Sequence, residues 1–385
     1  MEHKITIKDV MPEGDALRFT LTGVDVCYAN ALRRTLLSEI DICVIKTENE
    51  EVNQCHIEVN TTRFHNEILK QRLSCIPIHT KDLDLLPDKY ILELDVSNDT
   101  DTIMYVTTEQ FRIKNKTTEK YITEEETRKI FPANPQTQAY IDFCRLRPQV
   151  SDAMPGERIK LTAEFSVGNA RENSMYNVVS KCSYMNTRDT VAETQEWNRR
   201  EKDLRAKYQS MTEEEVEFEK RNFQLLDAER FYVPNSFDFV IQTVGIYDNL
   251  ELIQKACIVL QNKFVDLVES LTNGSLSIRV SETSMENCYD IVLENEDYTV
   301  GKILEYNLYE RFYTKDQVLS FCGFKKFHPH NLESVVRIAF TKPQEMDQIK
   351  YVVKEACMDS QNRITEMYHL FESRNSGVKI PLSMK

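Results

Sequence analysis

The chain has 385 residues, enough for two or three domains of ordinary size, each with its own core. Its net charge of −14 excludes a molecule built around a general nucleic-acid-binding surface, because phosphate would repel it as a whole. The ten cysteines are scattered without a C-x-x-C pair, which excludes a disulfide scaffold and favours a reducing, intracellular compartment.

The first residues alternate polar and apolar side chains and lack the apolar stretch of a signal peptide. Residues 4–10 and 16–22 read as strands joined by the turn Met11-Pro12-Glu13-Gly14-Asp15. No apolar run is long enough to span a bilayer. The next helix sets Ala29, Leu32, Leu36 and Ile40 at three- and four-residue steps, as one buried face. Arg33 and Arg34 lie off that face and point about 100° apart. They are either plain solvated surface or guanidinium forks suited to carboxylates and carbonyls of a neighbouring protein. A mixed segment, 46–143, follows, with a helix over 64–73, strands near 90–96 and 102–107, and a looser stretch around Pro132 and Pro135. Strand alternation resumes at 158–166.

Residues 193–230 are rich in charge and contain neither Gly nor Pro, and Thr212 with Glu215 forms a capping box that splits them into two helices. The pair reads either as a solvated excursion or as a docking element for a partner. A strand over 237–241 and a helix over 249–271 come next, the helix carrying Ile253, Ala256, Leu260, Phe264, Leu267 and Leu271. Thr272-Asn273-Gly274-Ser275 is the best linker in the chain. Beyond it lie strands 276–280 and 289–294, a helix 299–312 and a hairpin around Phe327-His328-Pro329-His330. Strand 335–340 and a last helix, 344–372, complete the order; that helix carries Ile349, Val352, Ala356, Ile364, Met367 and Phe371.

The scheme of strand, helix, strand and long amphipathic helix therefore occurs twice. Each long helix needs an apolar partner, and the other half supplies one, as when a two-fold dimer is written as a single polypeptide. The expected intramolecular interface comprises Leu32, Leu36, Ile40, Leu260, Phe264, Ile303, Leu304, Leu308, Val352 and Ala356.

No phosphate-cradling glycine loop, dinucleotide fingerprint, nucleophile elbow or H-E-x-x-H occurs, and the nine glycines are scattered. Cys322, His328 and His330 fall short of the four ligands of a structural zinc. Asp25, Asp290, Glu296 and Asp297 sit at strand–helix junctions, where acids satisfy free amides and favour the helix dipole. The expectation is a chain that is not an enzyme by itself, with no catalytic residue, no metal and no cofactor.

Ala29-Asn30-Ala31-Leu32-Arg33-Arg34-Thr35-Leu36-Leu37-Ser38-Glu39-Ile40 closely resembles the first-helix motif of the alpha-like subunits of cellular RNA polymerases. These are bacterial alpha, its archaeal D-type counterpart and the third-largest subunit of RNA polymerase II. Asn60-Thr61-Thr62, His65-Asn66-Glu67 and Arg72-Leu73-Ser74-Cys75-Ile76-Pro77-Ile78 extend the match. The stretch from Leu293 to Leu304, with Gly323-Phe324-Lys325 and His328-Pro329, is similar to the smaller partner, the archaeal L-type protein or the eleventh subunit of polymerase II. A fusion of the two looks like the arrangement in polymerases of large nucleocytoplasmic DNA viruses.

The resemblance implies an α+β fold with two pseudo-two-fold-related dimerisation domains of alpha/L type plus a mixed insert domain. Residues 1–45 and 144–271 would form the alpha/D-like domain, with the helical insertion 187–232; residues 46–143 would be the insert and 276–385 the L-like domain. It implies a non-catalytic assembly platform for the largest and second-largest polymerase subunits, with small polymerase subunits nearby. DNA and RNA would be reached only through the complex, and no membrane is involved. Asn30, Arg33 and Arg34 would bind the second-largest subunit, supported by Glu67 and Arg72. The place of action would be intracellular, in the cytoplasmic viral factory or packaged in the virion.

Four departures stand out. Tyr298 and Lys302 replace the His and Asn usual in the smaller partner, and the loop Gly168–Tyr176 lacks the family's His, Lys and Trp. Residues 76–143 hold no cysteine for a zinc loop or iron–sulfur cluster, and no separate DNA-binding domain is expected after residue 372. The alternatives from other classes are a stand-alone nucleic-acid-binding transcription regulator and an enzyme with an unrecognised site.

Overall fold

The computed structural model describes residues 4–48, 51–151, 154–208 and 212–373. The tail expected after residue 372 lies almost wholly outside the described residues. Internal contacts divide the chain into two units. The first takes in the N-terminal residues through Thr35, then Lys181–Gln242 and everything from Ile253; the second is Leu36–Ser180 with Thr243–Leu252.

The N-terminal alternation builds β1 (Thr6–Glu13) and β2 (Ala16–Thr22), with Ile7 opposite Leu21 and a bulge between Lys8 and Met11. β1 thus runs on through the expected turn, and only Gly14, at φ +60°, and Asp15 reverse the chain. α1 (Val26–Ser38) starts at Asp25, whose Oδ1 accepts the Cys27 amide at 2.8 Å. It stops before Ile40, which is buried from the extended segment that follows and not from the helix face.

Next come β3 (Ile42–Val44), β4 (Cys55–Asn60), α2 (Asn66–Ser74), β5 (Tyr90–Ser97), β6 (Met104–Thr107) and β7 (Arg112–Asn115). α3 (Glu124–Ile130) occupies part of the stretch expected to be loose, and its Thr123 and Glu126 form a reciprocal capping box. β8 (Asp142–Leu146), β9 (Arg158–Glu164), β10 (Ser166–Gly168) and β11 (Val179–Arg188) lead to α4 (Thr190–Lys207) and α5 (Glu213–Leu226). β12 (Tyr232–Thr243) and α6 (Asn249–Asn273) follow, so the helix absorbs the first half of the expected linker. The chain continues through β13 (Ile278–Val280), β14 (Cys288–Glu294), α7 (Tyr298–Leu308), β15 (Leu319–Lys325), β16 (Glu333–Phe340) and α8 (Met346–Glu372). α7 opens at Tyr309 into a wider π-type turn that ends at Lys315.

In the first unit the strands lie in the orders β1-β2-β12-β11 and β13-β14-β16-β15. Phe19 of β2 faces Phe239 of β12 as a register pair, their rings stacked at 5.1 Å. Phe371 of α8 meets the Phe19 ring edge-on at 5.2 Å. Leu32, Leu260, Phe264, Ile303, Leu304, Leu308, Val352 and Ala356 are all buried in this unit. Asp290 departs from its expected junction position. It lies inside β14 and takes a bidentate pair from Arg337 of β16, at 2.6 and 2.8 Å. The α4–α5 hairpin carries its own small core of Trp197, Val216, Phe223 and Ala228.

In the second unit the order is β4-β9-β5-β7. β9 separates β4 from β5, with Cys55 opposite Ala163 and Leu94 opposite Leu161. The expected insert 46–143 therefore cannot close its own sheet without residues 158–164, which is why the compact unit reaches from 36 to 180. Leu69 and Leu73 of α2 share its core with Leu92, Phe111, Phe131 and Phe143. Leu36 and Ile40 are buried in this unit.

Candidate assembly interface

Within the first unit α1 meets α7 through Arg34. Its Nε donates to Thr299 Oγ1 at 2.9 Å and its Nη2 to Asp297 Oδ2 at 2.6 Å. The other Asp297 oxygen accepts the Thr299 amide at 2.8 Å, so one carboxylate caps α7 and holds α1 at once. Deeper in, Asn307 Nδ2 donates to the Tyr28 hydroxyl at 2.8 Å and to Ser360 Oγ at 2.7 Å, and Ser360 donates to the Ala356 carbonyl at 2.8 Å. Tyr28, Asn307 and Ser360 are all buried. Burial pushes the Tyr28 phenol well above its usual value, so it stays a neutral hydroxyl. This knot joins α1, α7 and α8.

Two more links run from α6. Lys263 pairs with Glu296 at 2.8 Å, and Gln261 donates to Thr365 at 3.2 Å. Gly301 permits the close approach of β15 to α7, since a Cβ there would stand 2.0 Å from the Phe324 ring. A groove of about 520 Å³ opens at the start of α1, lined by Val26, Asn30, Tyr184, Tyr306 and Tyr309 among others. Cys322 also lines it; its thiol donates to the Glu305 carbonyl, and burial pushes it up to about 12.

The residues expected to touch a large subunit fall into three settings. Asn30 and Arg33 form one half-buried pair on α1, the Asn30 oxygen accepting Arg33 Nε at 3.1 Å and Nη2 at 2.9 Å. Arg34 turns away from that pair toward α7, as adjacent helical positions require. Glu67 and Arg72 belong to the second unit. Glu67 is exposed on the first turn of α2, while Arg72 clamps the carbonyls of Phe143 and Asp142, each at 2.7 Å.

Sequence reasoning missed Asn307, Ser360, Tyr28 and Thr299. A signal existed for two of them. Asn307 stands four residues after Ile303 and Ser360 four after Ala356, polar side chains on stripes otherwise apolar. Buried polar groups at such positions need partners, so they mark a cross-helix network.

The geometry defines a mixed α/β scaffold whose best-placed polar groups join helices to one another. Residues 18–264, more than half of the chain, match the RNA polymerase Rpb3/Rpb11 dimerisation domain, and the chain belongs to that family. Among named relatives it is similar to the DNA-directed RNA polymerase subunit Rpo3 of Pyrococcus horikoshii, 32% identical over 106 residues, 26% of this chain and 38% of that protein. It is also similar to subunit 3 of DNA-directed RNA polymerases II, IV and V of Arabidopsis thaliana, 24% identical over 199 residues, 49% of this chain and 58% of that protein. With the RNA polymerase II subunit RPB3 of Schizosaccharomyces pombe it shares 24% identity over 301 residues, 74% of this chain and 93% of that protein. Against the archaeal relatives the chain spans well under half of their length.

Proposed function

We propose that this chain is a non-catalytic assembly subunit of a multisubunit DNA-directed RNA polymerase, with an alpha/D-like and an L-like dimerisation domain fused in one polypeptide. One observation carries the reading. Residues inside the family match, Tyr28, Arg34 and Lys263, are tied to residues beyond it, Asn307, Asp297 and Glu296, and Ser360 joins through Asn307. The first group lies on helices α1 and α6 and the second on or beside α7 and α8, which is the pairing a fused dimer calls for.

The largest and second-largest subunits dock on the resulting platform, and nucleotidyl transfer belongs to them. DNA and RNA reach the chain through the complex. Asn30 and Arg33 form the contact for the second-largest subunit. Fusion makes the pairing intramolecular, with a local concentration on the order of millimolar, so the platform persists on dilution. It also accords with a viral polymerase acting in a cytoplasmic factory or carried in the virion.

The test is Arg33→Glu in the tagged chain. Arg34 is left intact because it is engaged with Asp297. The variant should keep the wild-type circular dichroism and melting curve yet lose the second-largest subunit on co-purification. Recovery of that subunit at the wild-type level would count against the reading.

A further inference from the structure

α5 is apolar on two sides. Val216 and Phe223, seven residues apart, face inward and join Trp197 and Ala228 in the hairpin core. At about 100° per residue, Phe218, Asn222, Leu225 and Leu226 form a second stripe at i, i+4, i+7 and i+8. This stripe faces solvent: Phe218, Leu225 and Leu226 are 64%, 65% and 72% exposed. A helix that served only to fill a solvated excursion would carry polar side chains there.

The charges bordering the stripe are the second observation. Glu214, Glu215 and Glu219 fall in the same sector of the helix, and Glu217 flanks it. Arg221 stands between Glu217 and Leu225 at one border of the stripe, and Lys220 points to the other side. The arginines of α4 are occupied within the hairpin: Arg199 and Arg200 on Glu196, Arg200 also on Asp227, and Arg205 on Glu201 and Glu213. A groove of about 490 Å³ at the α4–α5 seam, lined by Asp203, Leu204, Lys207, Glu219, Asn222 and Leu226 among others, adjoins the stripe. The surface is thus apolar along its length and bordered by more carboxylates (Glu214, Glu215, Glu217, Glu219) than cations.

We infer that the outward face of α5 docks a basic amphipathic helix of another protein. Apolar side chains of that helix would cover Phe218, Leu225 and Leu226, and its lysines or arginines would meet Glu214 and Glu219. The inference rests on the assembly reading, which places the partner among the co-assembled subunits.

The experiment uses the full chain in its native setting, with Phe218 replaced by the photo-crosslinker p-benzoylphenylalanine, followed by purification, irradiation and peptide mapping. A crosslink to one subunit, at a segment with apolar residues three and four apart flanked by Lys or Arg, is the expected result. Phe218→Glu with Leu225→Glu should lower recovery of that subunit at least tenfold and leave the other subunits unchanged. Crosslinks to nucleic acid, to lipid, to a second copy of this chain or to an acidic segment would overturn the inference. So would the absence of any crosslink, or unchanged recovery in the double variant. Failure of the assembly reading is visible separately, as a wild-type chain that brings down no large subunits.

Discussion

Arg34 gives one nitrogen to Thr299 and another to Asp297, and Asp297 caps α7 with its second oxygen. A double-mutant cycle of Arg34→Ala and Asp297→Asn, followed by chemical denaturation, should return a coupling of about 1 kcal/mol for this part-exposed pair. Coupling indistinguishable from zero would mean that the pair does not join the helices in solution. Asn307→Leu keeps the branching of the side chain but leaves the Tyr28 hydroxyl and Ser360 without their donor, at a cost of about 1–3 kcal/mol. Asp290 adds a pH dependence. Hydrogen bonding to Arg337 holds its carboxyl below the usual value, so its contribution is complete above the unfolded pKa of about 4 and is lost as pH falls through the folded one. Arg337→Met should therefore flatten the acid limb of the stability–pH curve. An acid limb as steep as in the wild type would contradict this.

Gly301 fixes how closely β15 can approach α7, because the Phe324 ring occupies the space a side chain would need. Gly301→Ala gains roughly 1 kcal/mol of helix propensity but must displace that ring, and overpacking of this kind costs about 1–3 kcal/mol. A net loss of thermal stability is expected, partly restored by adding Phe324→Ala; a stabilised single variant would show that the ring moves freely. The elements were legible where one periodicity ran long. The stripes of α6 and α8 place their core residues directly, and Thr212 with Glu215 marks the start of α5. α3 was missed although Thr123 and Glu126 carry the same capping signal, because Pro132 and Pro135 drew the stretch toward loop. Which strand β9 would join was not legible either. Alternation places its side chains on two faces but does not name its neighbours, and here they are β4 and β5. The polar knot was half visible: Asn307 and Ser360 interrupt apolar stripes, but Tyr28 and the pairing itself are set by helices tens or hundreds of positions away.

At the scale of the whole molecule, the proposed fusion joins its two dimerisation domains through the short stretch after α6. A protease site inserted at Gly274, where the backbone has φ +74°, should be cut without loss of fold. The two fragments should stay together at micromolar concentration and separate on further dilution, whereas the intact chain should not change. A platform that assembles a polymerase leaves its mark in stoichiometry. The tagged chain, expressed in its native setting and purified gently, should bring down two large proteins at one copy each, and the complex should synthesise RNA from a DNA template. Recovery of the chain alone, or with an unrelated partner and no RNA synthesis, would contradict the assignment of a polymerase platform.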